Sequence, residues 1–116
     1  MYVTDQPLQI EFQRRDQTLI CKLTGSASME VCDLLCKRLA EGTRTEPKLL
    51  VIDLSELEFI CSLGLGGIVA THVHARRYHG KVVLAAPVPA VRELLEVTRL
   101  DTLIAVFDTM ADALQA

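Results

Sequence analysis

Ser62 stands in the stretch Phe59-Ile-Cys-Ser-Leu-Gly-Leu-Gly-Gly67, where one hydroxyl separates an apolar run from three glycines. A serine so placed can act as a nucleophile, help to cradle a phosphate, receive a phosphate, or cap a helix. The nucleophile elbow of hydrolases needs G-x-S-x-G on a tight strand-to-helix turn. Here Ile60 takes the first glycine position, giving I-C-S-L-G. That chemistry also requires an acid and then a histidine after the serine, whereas His72, His74 and His79 all precede Asp101, Asp108 and Asp112. A triad in that order is excluded.

The other chemistries narrow in the same way. A dinucleotide fingerprint built on Gly64-x-Gly66 needs a small residue at position 69, which is Val69, and no acid stands about twenty residues further on. No lysine follows the glycines to grip a phosphate. His72, His74 and Cys61 are metal-ligand types, but residues two apart on a helix point away from each other, so the histidines belong at a solvent face or edge and no metal is expected. Two readings of Ser62 remain. It is expected to cap a helix, its oxygen accepting a backbone N–H from the first turn. A hydroxyl at a helix N-terminus also lies in a positive backbone field, so a phosphate there is tolerated, and Gly64, Gly66 and Gly67 leave the backbone open to an approaching partner.

The elements that position this stretch follow from hydrophobic periodicity. Leu8, Ile10 and Phe12 alternate with polar residues, and Thr18–Thr24 follows a polar turn at Arg15-Asp16-Gln17, which predicts a β-hairpin with one wet face on both strands. Val31, Leu34, Leu35 and Leu39 share a helical face over 29–40, with Ser28 as N-cap and Gly42 just past the end. Lys48–Leu54 is a nearly continuous apolar run, which predicts a central strand covered on both faces and ending near Leu54. Leu65, Ile68, Val69 and His72 predict a second helix from about Ser62 to Gly80, and Lys81–Ala86 another buried strand. Pro89 opens a third helix with Val91, Leu94, Leu95 and Thr98 inward; Ile104–Phe107 is a last strand, and Asp108 caps a short terminal helix. Alternating strands and helices from Lys48 onward predict an α/β fold, a mixed sheet made of the hairpin and parallel βα units. Ligands and partners of such sheets meet the chain beyond the carboxyl ends of strands, where Ser62 lies.

Composition bounds the remaining classes. The 116 residues are 50% hydrophobic and 23% charged, the content of one domain spanning 1–116. A net charge of -3 and scattered basic residues exclude a nucleic-acid footprint. The start, MYVTDQPLQIEFQRRD, lacks the pattern of a secretory signal, and the longest uncharged stretch is too polar to span a membrane, so a cytoplasmic protein without membrane insertion is expected. Cys21, Cys32, Cys36 and Cys61 form no CxxC pair and are expected as buried thiols.

Three segments carry a resemblance to a known family. Val51–Ala70, VIDLSELEFICSLGLGGIVA, resembles the signature of STAS domains of the anti-sigma factor antagonist type, in which an IDLS…F.DSSGLG run holds a phosphorylatable serine. Leu23–Leu35 resembles that family's strand, glycine and first helix, and Ala85–Leu114 its closing segment. The resemblance implies a five-stranded mixed sheet with four helices and a protein that catalyses nothing and needs no cofactor. It implies that Ser62 is phosphorylated by an anti-sigma factor serine/threonine kinase. The unphosphorylated form would bind that kinase and free a sigma factor, and a phosphatase would restore the cycle. The partner surface so implied comprises Ser28, Cys61, Ser62, Leu63, Gly64, Leu65 and Gly66. Three positions depart from the family motif: Cys61 stands where Asp is usual, Leu63 where Ser or Thr is usual, and Ser28 where Asp often caps the first helix. These departures suit an alternative, a non-phosphorylated STAS subunit of a lipid-transport ATPase or signalling assembly, because fold alone does not decide function. An enzyme of another class would show turnover that is lost in Ser62→Ala.

The cysteine reading has a direct check. Thiol titration of the unfolded, freshly purified protein is expected to count four reduced cysteines; a bound zinc ion or an intramolecular disulfide in that preparation would overturn it.

Overall fold

The computed structural model describes residues 7–116; the beginning of the expected leaderless start, Met1–Gln6, lies outside the described residues. Strand β1 (Gln9–Arg15) pairs antiparallel with β2 (Thr18–Ala27) across a turn in which Asp16 takes φ 55°, a left-handed conformation that Asp tolerates better than most residues. Helix α1 (Cys32–Thr43), preceded by a 3-10 turn over Met29–Val31, leads to β3 (Leu49–Ile60). Then come α2 (Ser62–Arg77), β4 (Lys81–Ala85), α3 (Pro89–Val97), β5 (Val106–Phe107) and α4 (Met110–Ala113). The sheet order is β1-β2-β3-β4-β5, with every pair after the hairpin parallel, so β3 is central.

Alternation explains why β3 and β4 read as unbroken apolar runs. Leu50, Ile52, Val82 and Leu84 point into the larger core shared with α1, α2 and α3, while Leu49, Val51, Val83 and Ala85 face the smaller core closed by α4. Each such Leu, Ile or Val side chain contributes roughly 1.5–3 kcal/mol when taken fully from water. Three helices on one face and a single four-residue helix on the other make this a lopsided two-faced sheet.

Several boundaries differ from the periodic reading. The central strand does not stop near Leu54 but runs to Ile60, because residues 56–60 keep pairing with β2 after β4 has ended at Ala85. Register shifts between Lys22 and Thr24 and between Gly25 and Ser26 bring Leu57 and Ile60 onto the buried side, breaking the two-residue period that marks a strand in sequence. Only β1 of the hairpin is wet; β2 is mostly buried, since it lies between β1 and β3. On α1 the inward residues are Cys32, Leu35 and Leu39, whereas Leu34 is 47% exposed, and Gly42 lies inside the helix. Thr98 is exposed, and Thr109 rather than Asp108 caps α4, its side chain accepting from the Asp112 N–H at 3.1 Å.

The glycines that follow Ser62 divide into two kinds. A Cβ on Gly64 would meet Ile60 Cγ1 at 2.8 Å and one on Gly67 would meet Cys36 Sγ at 2.7 Å, so both let α2 seat against its neighbours. Gly66 faces open space. Gly66→Ala is therefore expected to stabilise the fold by up to about 1 kcal/mol through helix propensity. Gly64→Ala is expected to cost about 1–3 kcal/mol, as overpacking does. Urea denaturation of the two variants checks both signs.

Candidate functional site

The site is made where two parallel strands end together. Ala27 is level with Ile60 at the ends of β2 and β3, and the Cys61 N–H donates to the Ala27 carbonyl at 2.9 Å, carrying the pairing one residue past the ladder. Ser28 and Met29 thus leave the sheet beside Cys61 and Ser62, and each pair opens a helical segment: Val31 N–H donates to Ser28 O at 3.1 Å, and Leu65 N–H to Cys61 O at 3.1 Å. The two helical N-termini therefore emerge side by side.

Within this pair the cap moves by one residue. Cys61, with φ -80° and ψ 169°, is the N-cap of α2, and Ser62 is its first helical residue with its side chain exposed. The expected serine cap is thus a cysteine: the bond to Ala27 holds residue 61 in extended geometry and so postpones the helix. Ser28 is the N-cap of the 3-10 turn, with no side-chain cap bond, and stands four residues before α1 rather than at its start.

Three large apolar side chains are exposed on the segments that meet at Ser62, together with the acids Glu30, Asp33 and Glu58. Leu63 is 55% exposed, Met29 68% and Phe59 47%. Gly66 is exposed as well, but Gly64 and Leu65 are buried, packing against Ile60 and the core instead of facing outward. The glycines hence open the backbone at one position only. Met29 and Phe59 were not singled out in sequence, because a residue at a strand end or in a 3-10 turn has no periodicity to show its face. The first turn of α2 holds no acid, and His74, Arg76 and Arg77 occupy its last turn, so the positive end of the helix field at Ser62 is unopposed from within the helix.

The thiols form the most distinctive cluster. Cys32 and Cys61, both buried, bring their sulfurs to 2.7 Å, and Cys32 Sγ also lies 3.3 Å from the Ser28 carbonyl. Burial opposes a thiolate at Cys61, but the hydrogen bond with Cys32 and the N–H groups of Gly64, Leu63 and Cys61 outweigh it and hold its pKa below the ordinary thiol value. Burial first, and then the bond to Cys61, push Cys32 up to about 11. Burial in the sheet drives Cys21 up to about 12. Cys36 departs from the expected buried thiols: it is exposed on α1 one turn beyond Cys32, because the helix turns its own buried stripe through 32, 35 and 39.

The histidines lie apart from this cluster. His72 is half-buried with an unpartnered Nδ1, and burial followed by the Arg76 charge lowers its pKa; His74 packs edge-on to Tyr78. Among the described residues no group of three or more His, Cys, Asp or Glu side chains could hold a metal ion, and no helix is long and apolar enough to cross a membrane.

Comparison with known proteins places this geometry. The chain is 27% identical over 108 residues to a protein of Paenibacillus polymyxa named anti-sigma F factor antagonist, with 92% of each chain covered. It superposes with a TM-score of 0.87 on the crystal structure of an anti-sigma factor antagonist from Mycobacterium paratuberculosis, 28% identical, covering 94% of this chain and 92% of that one. An anti-sigma-factor antagonist (STAS) domain protein from Planctomyces limnophilus, 22% identical, shares the fold at a TM-score of 0.77 over 91% of this chain and 95% of that one. The family model described as STAS domain matches residues 9–113, and with the five-stranded mixed sheet and four helices it shows that this chain belongs to the STAS domain family.

Proposed function

We propose that the protein is an anti-sigma factor antagonist, a phosphorylation-switched binding module whose switch is Ser62. In its unphosphorylated form it sequesters an anti-sigma factor serine kinase and so frees a sigma factor; phosphate on Ser62 ends the association, and a phosphatase restores it. The observation that carries this reading is the exposed hydroxyl at the first position of α2, with Leu63 exposed next to it and Met29 and Phe59 exposed on the segments that end beside it. The names of the similar proteins support the same reading.

The physical logic is a difference between two surroundings. A phosphate adds about -1.5 to -2 charges at pH 7 and, at a helix N-terminus, meets backbone N–H groups and the positive end of the helix field. The isolated domain accommodates that charge. A partner pressed against Met29, Phe59 and Leu63 would have to bury it without compensation, so the modification weakens association and leaves the fold intact. Rival acceptors are few nearby: Thr71 is buried with its hydroxyl donating to Gly67 O at 2.8 Å, which leaves Ser55 as an exposed alternative. The departures at Cys61 and Ser28 remove two acids of the family motif from the surroundings of Ser62, and Leu63 puts an apolar side chain where the motif has a hydroxyl.

Incubation with the cognate kinase and ATP is expected to label Ser62 and nothing else. Ser62→Ala is expected to bind that kinase without being labelled. Ser62→Asp and Ser62→Glu are expected to bind about tenfold more weakly or worse, a loss of about 1.4 kcal/mol, and less than phosphate itself causes. Their thermal midpoints should stay within about 2 °C of the unmodified protein. Label on Ser55, or undiminished binding by Ser62→Asp, would replace the switch by a constitutive subunit of a transport ATPase or signalling assembly.

A second expectation concerns the exposed leucine. Leu63→Ser, which restores a hydroxyl where the family motif has one, is expected to weaken kinase binding about three- to tenfold by removing an exposed apolar contact, with stability unchanged within about 0.5 kcal/mol. Titration calorimetry and urea denaturation of the same preparation check both halves.

A further inference from the structure

We propose that Cys32 and Cys61 are a reversible redox pair, oxidised by hydrogen peroxide to an intramolecular disulfide that ties the start of α1 to the start of α2 beside Ser62. The two sulfurs are 2.7 Å apart on segments that leave the paired ends of β2 and β3 side by side. Both are buried, but Cys61 keeps 9% of its surface exposed against 3% for Cys32, so a small oxidant such as hydrogen peroxide meets Cys61 first. Cys61 is the N-cap residue of α2, at the positive end of the helix field, which favours a thiolate over a thiol. Cys32 instead donates its thiol proton toward the Ser28 carbonyl at 3.3 Å, so the two thiols have different roles: Cys61 reacts with the peroxide and Cys32 resolves.

The chemistry balances without a metal or cofactor. The Cys61 thiolate attacks one oxygen of hydrogen peroxide, the O–O bond breaks, and the hydroxide that leaves takes up a proton, giving Cys61 sulfenic acid and water. Cys32 sulfur then attacks Cys61 sulfur; the S–O bond breaks, and the hydroxyl leaves with the Cys32 proton as a second water. Two electrons pass from the sulfurs to the peroxide. A dithiol returns them, with two protons, and restores both thiols. The remaining cysteines are poorly suited to either role. Cys21 is fully buried in β2, and Cys36, although exposed, points across to Gly67 and carries no helix N-terminus of its own. The bridge leaves the Ser62 side chain unmodified, so this inference goes beyond the phosphorylation reading and does not depend on it.

The experiment uses the full reduced chain, treated with graded hydrogen peroxide, quenched in acid, capped with N-ethylmaleimide in denaturant, digested without reductant and read by mass spectrometry. Free thiols are expected to fall from four to two, with one crosslinked peptide pair joining Cys32 to Cys61, and to return to four after dithiothreitol. Cys36→Ser is expected to form the same crosslink. Cys32→Ser is expected to lose it and to accumulate a dimedone-reactive sulfenic acid at Cys61. The proposal fails if the crosslink joins any other pair or two separate chains. It also fails if Cys32 and Cys61 stay fully alkylatable after an exposure that consumes an equal concentration of free cysteine.

Discussion

The parallel pairing of β2 with β3 beyond the end of β4 is the constraint on which the rest of the structure depends. A strand inside a sheet is held from both sides, but from Glu56 to Ile60 only β2 holds β3. The final link, from the Cys61 N–H to the Ala27 carbonyl, keeps residue 61 extended and decides where α2 begins. Moved by one residue, the helix would bury Ser62 in the cap and present Leu63 first. The hydrogen bond thus converts a backbone register into the exposure of one hydroxyl.

Close packing completes what that register starts. Gly64 lets the first turn of α2 rest on Ile60, and Gly67 lets its second turn approach Cys36 of α1. With Leu65 and Ile68 buried on the same side, the helix has one permitted rotation about its axis, and that rotation turns Ser62, Leu63 and Gly66 outward. A rigid seat of this kind is what a binding surface requires, because ordering it on association then costs little. The glycine cluster next to the serine therefore serves packing at two positions and access at one.

Sulfur gives the site a chemistry that an acid would not. Where the family motif has Asp beside the serine, this chain has Cys61, and the fold sets Cys32 against it. An acid there would hold a fixed negative charge near the hydroxyl. A thiol holds charge only in proportion to its deprotonation, and it can pass electrons, so the two proposed responses, to phosphate and to oxidants, would use the same neighbourhood by separate routes. The two responses share the segments that leave the sheet at Ser28 and Cys61 but no atom.

What the sequence alone determined was the set of elements and their order. The apolar runs at Lys48–Leu54 and Lys81–Ala86 read as two-faced strands, Pro89 marked the start of α3, and the turn at Asp16 marked a hairpin, because each rests on local pattern or on the stereochemistry of one residue. The stretch around Ser62 stood out as the place beyond a strand end where a partner would meet the chain. Its finer arrangement was not legible. The extension of β3 to Ile60 follows a bulged register that erases alternation, the one-residue shift of the cap follows a hydrogen bond to a residue over thirty positions away, and the inward turn of Gly64 follows contact with Ile60 and Leu35. The meeting of Cys32 and Cys61 is of the same kind: neither residue's neighbours in the chain announce it, and only the side-by-side ends of β2 and β3 bring the two sulfurs together.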